Sequence, residues 1–297
     1  MIYGVLAYLS WGLFPAFFPL LMPASPLEIL AHRVLWTAVV MVVVVTVRRG
    51  WDELRTASRR TWLQMIAAGL LISANWGIYV LAVNTGHVAD AALGYFINPL
   101  LSILLGVLLL GERLRGLQLG AVGIAALGVI QLTFLSGQAP GMALGMAVTF
   151  GFYGLVKKRV QVSATSSLTA ETLVVAPLGL AWIIWLESSG QGTFFSEGPT
   201  HSLLLITSGL ITTIPLLLFG LAAKRLPLST IGMIQYLTPT LQMLWALFVT
   251  QEHMPAARWV GFIIIWIAVA LYLADLLRQH HQRTRRGRYQ RARDQAD

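Results

Sequence analysis

The sequence predicts an all-α integral membrane protein of ten transmembrane helices, built as two inverted repeats of five helices each. Three observations predict it. The 297-residue chain is 57% hydrophobic and only 11% charged, with a mean hydropathy of +0.72, far from the composition of a soluble domain. Runs of roughly 18 to 22 mainly apolar residues recur, each long enough to cross about 30 Å of hydrocarbon as a helix. Finally, two stretches share their punctuation. Leu93–Arg113 (LGYFINPLLSILLGVLLLGER) and Met233–His253 (MIQYLTPTLQMLWALFVTQEH) place Pro99 over Pro239 and Glu112 over Glu252, both at an offset of 140 residues. A period near half the chain length marks an internal duplication.

The spans fall at about 2–22, 28–47, 62–83, 89–110 and 117–134 in the first half, and at about 140–156, 167–186, 202–222, 228–250 and 255–277 in the second. Their length and lack of period-2 alternation exclude barrel strands. The first repeat is then 1–138, the second 139–278, and 279–297 a basic, disordered cytoplasmic tail. Lys and Arg supply the orientation. Of the 21, 19 fall in the even-numbered loops and the tail, leaving only Arg33 and Arg258. By the positive-inside rule both termini and the even-numbered loops are cytoplasmic. Five spans per half is an odd number, so the second copy lies upside down relative to the first. The basic loop Arg48–Arg60 accordingly corresponds to Glu187–His201, which has no Lys or Arg. The tail reads as a segment that touches anionic lipid, not nucleic acid.

The spans can be taken in order. The first has no basic segment ahead of its apolar run, and its Trp11-Gly12-Leu13 echoes Tyr153-Gly154-Leu155 of the sixth, so it reads as a mature helix and not a signal peptide. The second opens with Pro26-Leu-Glu28-Ile-Leu-Ala-His32-Arg33. Glu28 and His32, four apart, share one face about a turn from the outer surface. Arg33 lies about 100° further round, with Trp36 placed to cover its guanidinium. Ionisable groups inside a span are functional hypotheses by default. Here Glu28 or His32 would carry a proton and Arg33 would anchor an anionic group. The plainer alternative is a helix-start cap at Glu28 and an ion-pair role for Arg33. Glu171, placed alike in the seventh span, invites the same choice, with capping the simpler explanation.

In the third span Asn75 and Tyr79 share a face beside Trp76. In a cavity they would offer hydrogen bonds to a substrate; otherwise the amide locks two helices together. The matching place in the eighth span holds Pro215. The fourth and ninth spans set Tyr95 and Asn98 ahead of Pro99, and Gln235, Tyr236 and Thr238 ahead of Pro239, with Gln242 a turn beyond. A proline frees a carbonyl one turn earlier, here at Tyr95 and Gln235. Two symmetry-related kinks flanked by amides and phenols are the strongest pointer to a binding site. The alternative is a kink that serves packing alone. Glu112 and Glu252 close these helices and are expected to pair with Arg113 or Arg115 and with Arg258. Gly116-x-x-x-Gly120 and Gly141-x-x-x-Gly145 read as points of close helix packing.

No cysteine is present, which excludes disulfides and thiolate-metal sites. The metalloprotease, nucleophile-elbow and Walker motifs are absent, which argues against an enzyme, a cofactor or a metal. The segments EILAHRVLW, NWGIYVLAVNTGHVADAALGYFINPL, FGFYGLVKKRV and PLLLFGLAAKRLPLSTIGMIQYLTPTLQ resemble the RarD family of EamA-type permeases, in the drug/metabolite transporter superfamily, through essentially all ten spans. The resemblance implies two inverted EamA repeats around a central cavity lined mainly by spans 1, 3, 4, 6, 8 and 9, in the bacterial inner membrane. The expectation is therefore a secondary transporter of a small organic metabolite or drug-like molecule, driven by a proton or solute gradient. Asn75, Tyr79, Tyr95, Asn98, Gln235, Tyr236 and Gln242 would contact substrate, Trp11 and Tyr153 would wall the cavity, and Glu28, His32 and Arg33 would serve coupling. The competing expectation is a non-transporting membrane sensor or assembly protein acting through its cytoplasmic loops and tail.

Overall fold

The computed structural model describes residues 1–136, 141–251 and 255–294, and every regular element among them is a helix. In chain order these are α1 (Ile2–Gly12), α2 (Phe14–Phe17), a 3-10 turn (Phe18–Leu21), α3 (Pro26–Val47), α4 (Trp51–Arg55), α5 (Arg59–Asn84), α6 (Val88–Leu110), α7 (Gly116–Ser136), α8 (Gly141–Arg159), α9 (Ala164–Ser188), α10 (Pro199–Arg225), α11 (Leu228–Gln235), α12 (Leu237–Phe248) and α13 (Ala256–Asp294). Serine caps start three of the long ones. The hydroxyls of Ser25, Ser58 and Ser163 accept from the N–H groups of Glu28, Thr61 and Ser166 at 3.1 to 3.2 Å, satisfying donors that the first turn leaves open.

Among the described residues, eight stretches are long and apolar enough to cross a membrane: Ile2–Leu21, Pro26–Val47, Arg59–Asn84, Ala92–Leu110, Gly116–Leu135, Ala164–Ser188, Pro199–Arg225 and Ala256–Arg278. The sequence predicts ten, and the two outside this set have identifiable reasons. Helix α8 ends in Lys157-Lys158-Arg159, which cuts its apolar length. The expected ninth span is not continuous but divides at Tyr236 into α11 and α12. Pro239 has no N–H to give the carbonyl of Gln235, so the helix parts one turn ahead of it. Helix α6 runs unbroken through Pro99.

Two compact units make up the chain: Met1–Glu112 with Gln138–His253, and Arg113–Gly137 with Met254–Asp297. In the second unit α7 packs on α13. A Cβ added to Gly128 would stand 2.9 Å from Ile265, and one on Gly261 2.5 Å from Gln131, so both glycines permit the close approach. Helix α13 continues to Asp294, through the basic segment expected to be a disordered tail. Its Arg, Gln and Ala are good helix formers.

The first unit is a helix bundle whose packing pairs come in matched sets. Helix α5 lies on α8 as α10 lies on α1, and α5 lies on α9 as α10 lies on α3. Two close approaches between these pairs fall at Gly69 and Gly209, 140 residues apart. A Cβ on Gly69 would meet the Glu171 carbonyl of α9 at 2.7 Å, and one on Gly209 would collide with Trp36 of α3. The glycines singled out in sequence do less: Gly116, Gly120 and Gly141 have open space over them, and only Gly145 meets a neighbour, Ile78.

Candidate functional site

Three polar clusters lie inside the first unit. The first is built on Arg33, about 10 Å into α3. Its Nε donates to Thr212 Oγ1 of α10 at 3.0 Å. Its guanidinium lies over three rings: Trp76 at 4.7 Å, Phe18 at 5.2 Å and Phe14 at 5.4 Å. Trp36, expected to cover this cation, does not. Its Nε1 donates instead to His32 Nδ1 at 3.2 Å. An indole N–H away from water needs an acceptor, and an imidazole can supply one where a guanidinium cannot. The Arg33 side chain is partly exposed, and among the described residues no carboxylate lies within 4.0 Å of it. Tyr79 and Tyr95, with ring centroids 6.2 Å apart, bring their phenols within electrostatic reach of the guanidinium.

The second cluster ties α3 to the connection between α9 and α10. Glu28 is buried, and its Oε1 accepts from the Thr193 N–H at 2.6 Å and the Thr193 hydroxyl at 2.9 Å. Thr193 Oγ1 also meets His201 Nε2 at 2.8 Å. Glu28 is therefore a cross-link, and the cap of its own helix is Ser25. His32 stacks on Phe194, centroids 4.9 Å apart. The bond from Trp36 assigns Nδ1 as acceptor, so a neutral ring carries its proton on Nε2. Among the described residues neither Glu28 Oε2 nor His32 Nε2, both buried, has a hydrogen-bond partner.

The third cluster was not anticipated. Lys157, assigned from sequence to a cytoplasmic loop, is instead the antepenultimate residue of α8, and its side chain is 1% exposed. Its Nζ donates to Glu171 Oε1 at 2.6 Å and to Ser167 Oγ at 3.0 Å. Ser167 and Tyr153 donate to the same carboxylate, Tyr153 at 3.3 Å. Glu171 is thus no cap; Ser163 caps α9, and Glu171 faces inward one turn beyond Ser167. A cluster of this kind is legible only when the i, i+4 pair Ser167 and Glu171 is set against the end of α8, which no local pattern reveals. A cavity of about 20 Å³, room for one water, lies between Glu171 and Trp76 and is also lined by Thr37, Ser73 and Thr172.

Most of the remaining predicted residues are held in contacts between helices. Asn75 gives its amide to Met146 O at 2.8 Å and Thr149 Oγ1 at 3.1 Å, a lock between α5 and α8. Trp11 and Tyr153 join one aromatic cluster with Tyr8, Phe150 and Phe219. Tyr8 donates to Gln235 Oε1 at 3.4 Å, and Thr238 to Tyr8 O at 2.8 Å, so the residues ahead of Pro239 pin α1 to α11 and α12. Tyr236 donates to Phe96 O at 3.3 Å. Asn98 is buried with its Oδ1 unpartnered among the described residues, and Gln242 is partly exposed. Glu112, expected beside Arg113 or Arg115, instead accepts from the N–H groups of Leu228 and Ser229 at 2.6 and 2.9 Å and from the Ser229 hydroxyl at 2.7 Å. Open donors at a helix N-terminus out-compete solvated arginines for a carboxylate. Glu252, the expected partner of Arg258, lies outside the described residues.

Fold and site define a multi-pass, all-helical membrane protein with ionisable and aromatic side chains gathered inside its helix bundle. The chain belongs to the EamA-like transporter family, whose model matches residues 1–134 and again 139–274, and within it to the RarD-type permeases. It is 45% identical to protein RarD of Streptomyces exfoliatus, over 94% of this chain and 89% of that one. It is 43% identical to the uncharacterized transporter YojE of Bacillus subtilis, over 92% of each, and 38% identical to protein RarD of Escherichia coli, over 91% and 92%. A protein of known crystal structure shares the fold, with a TM-score of 0.71 at 22% identity over 91% of this chain and 96% of that one.

Proposed function

We propose that the chain is a secondary transporter in the bacterial inner membrane, carrying a small organic metabolite or drug-like molecule by alternating access of two inverted halves. The family model matching once per half supports the duplication, and the matched packing sets of α1, α3 and α5 against α8, α9 and α10 support the symmetry that alternating access exploits. Both termini are cytoplasmic in this reading, and spans six and nine are α8 and the α11–α12 pair. The observation that carries it is the pair of buried, titratable, unpartnered atoms on α3, Glu28 Oε2 and His32 Nε2. Burying such groups in a membrane bundle is costly, and a proton that arrives and leaves during the cycle is what they are equipped to hold. Tyr79, Tyr95, Asn98, Gln235, Tyr236 and Gln242 serve the substrate, between walls that include Trp11 and Tyr153, while Asn75 supports the cavity from outside.

The test is transport in proteoliposomes with and without a pH gradient. Glu28→Gln and His32→Ala should abolish gradient-driven accumulation while equilibrium exchange persists. Accumulation unchanged in both variants would remove the coupling assignment. Deleting 279–297 should leave transport intact; a sensor or assembly protein acting through that tail would lose its function instead.

A further inference from the structure

Arg33 is a cation on α3 with no carboxylate partner among the described residues. Thr212 takes only Nε, so the two terminal amino groups, the fork that matches a carboxylate bidentately, have no acidic partner among the described residues. Three aromatic faces surround the charge at 4.7 to 5.4 Å. Cation–π contact stabilises a guanidinium but does not neutralise it, and a net charge inside a membrane bundle is expensive. The site holds every component of an anion receptor except the anion. The cation is fixed by a hydrogen bond and is partly exposed.

Resting on the transporter reading, we propose that the substrate is an organic carboxylate with an apolar, preferably aromatic, body. Its carboxylate sits on the Arg33 fork and its body lies against Trp76, Phe14 and Phe18. Lys157, buried in the bundle, cannot compete for this role because it is already paired with Glu171. The rings that flank Arg33 are apolar on the sides away from it, so they would exclude small inorganic oxyanions by leaving them poorly solvated.

The test is binding to the purified full chain in detergent, followed by thermal shift and calorimetry. The probes are benzoate, phenylacetate, indole-3-acetate and hexanoate. Benzamide and benzyl alcohol serve as neutral counterparts, benzylamine as a cation, and inorganic phosphate and a short-chain phosphatidic acid as oxyanions from mineral and lipid sources. At least one carboxylate should bind, its neutral counterpart should not, and Arg33→Gln should weaken binding by about tenfold or more, the effect of losing a charged hydrogen-bond partner. Arg33→Lys keeps the charge and the ring contacts but not the fork, so it should weaken binding too; it carries the test if the glutamine variant fails to fold. Binding of neutral or cationic probes alone, tighter binding of either phosphate source, or carboxylate affinity unchanged in both variants overturns the proposal. Counterflow of the same compounds separates the two readings. A neutral compound exchanged independently of Arg33 sinks the anion proposal and keeps the transporter, whereas carboxylates bound but never exchanged do the reverse.

Discussion

Lys157 and Glu171 form an ion pair sealed from solvent, Nζ to Oε1 at 2.6 Å with each side chain 1% exposed, where the end of α8 meets the first two turns of α9. Removing either partner leaves a buried charge alone, at a cost of about 3–5 kcal/mol, whereas replacing both with apolar groups of similar volume is often neutral. Lys157→Met and Glu171→Leu should each lower the unfolding midpoint in detergent markedly, and the double variant should recover most of the loss. A double variant as unstable as the sum of the singles would show that the pair itself is not the source.

Glu112 performs an N-cap in trans, 116 residues from the helix it serves. Glu112→Ala leaves three donors at Leu228 and Ser229 without their acceptor, for a loss of about 1–2 kcal/mol. Hydrogen exchange should quicken at the start of α11 and stay unchanged at the start of α9, whose cap is Ser163. Uniform quickening across both helices would contradict a local cap.

The Asn75 amide donates to Met146 O and Thr149 Oγ1 of α8, so its replacement should be felt as stability. Asn75→Leu should cost about 0.5–2 kcal/mol, the usual range for an interhelical hydrogen bond in a membrane. Affinity for whichever compound the wild type binds should hold. A stable variant that no longer binds would return Asn75 to the cavity.

At the predicted cytoplasmic face, Glu53 of α4 accepts from the Ser163 N–H at 2.9 Å. Partial burial pushes its carboxyl up, but hydrogen bonds from Ser163 and Ser166 outweigh this and hold it below the usual carboxylate range. A depressed value stabilises the fold above the unfolded carboxylate pKa of about 4.3 and is lost as pH falls through the folded one. The stability gap between wild type and Glu53→Gln should therefore be present at neutral pH and close in acid; a gap that widens in acid would reverse the sign.

The helical fold was legible because it rests on composition, span length and a repeat that survives in Pro99 and Pro239. What sequence could not supply was direction. Helical spacing put Trp36 within reach of Arg33, but the indole needed an acceptor and turned to His32. The same spacing put Glu28 and Glu171 at helix starts, where serines had already taken the capping donors, leaving the carboxylates free to cross to Thr193 and Lys157. Lys157 itself was hidden by its company, since a basic run at a helix end reads as a solvated loop. Of the residues ahead of Pro239, Gln235 and Thr238 are gathered by Tyr8, which was absent from the expectation.

Solute counterflow tests transport most directly. Proteoliposomes are preloaded with unlabelled compound and diluted into the labelled form, across carboxylates, neutral molecules and amines. Transient accumulation of label is predicted for at least one carboxylate, abolished by Arg33→Gln and retained in Glu28→Gln. No exchange of any compound by folded, reconstituted protein would contradict it.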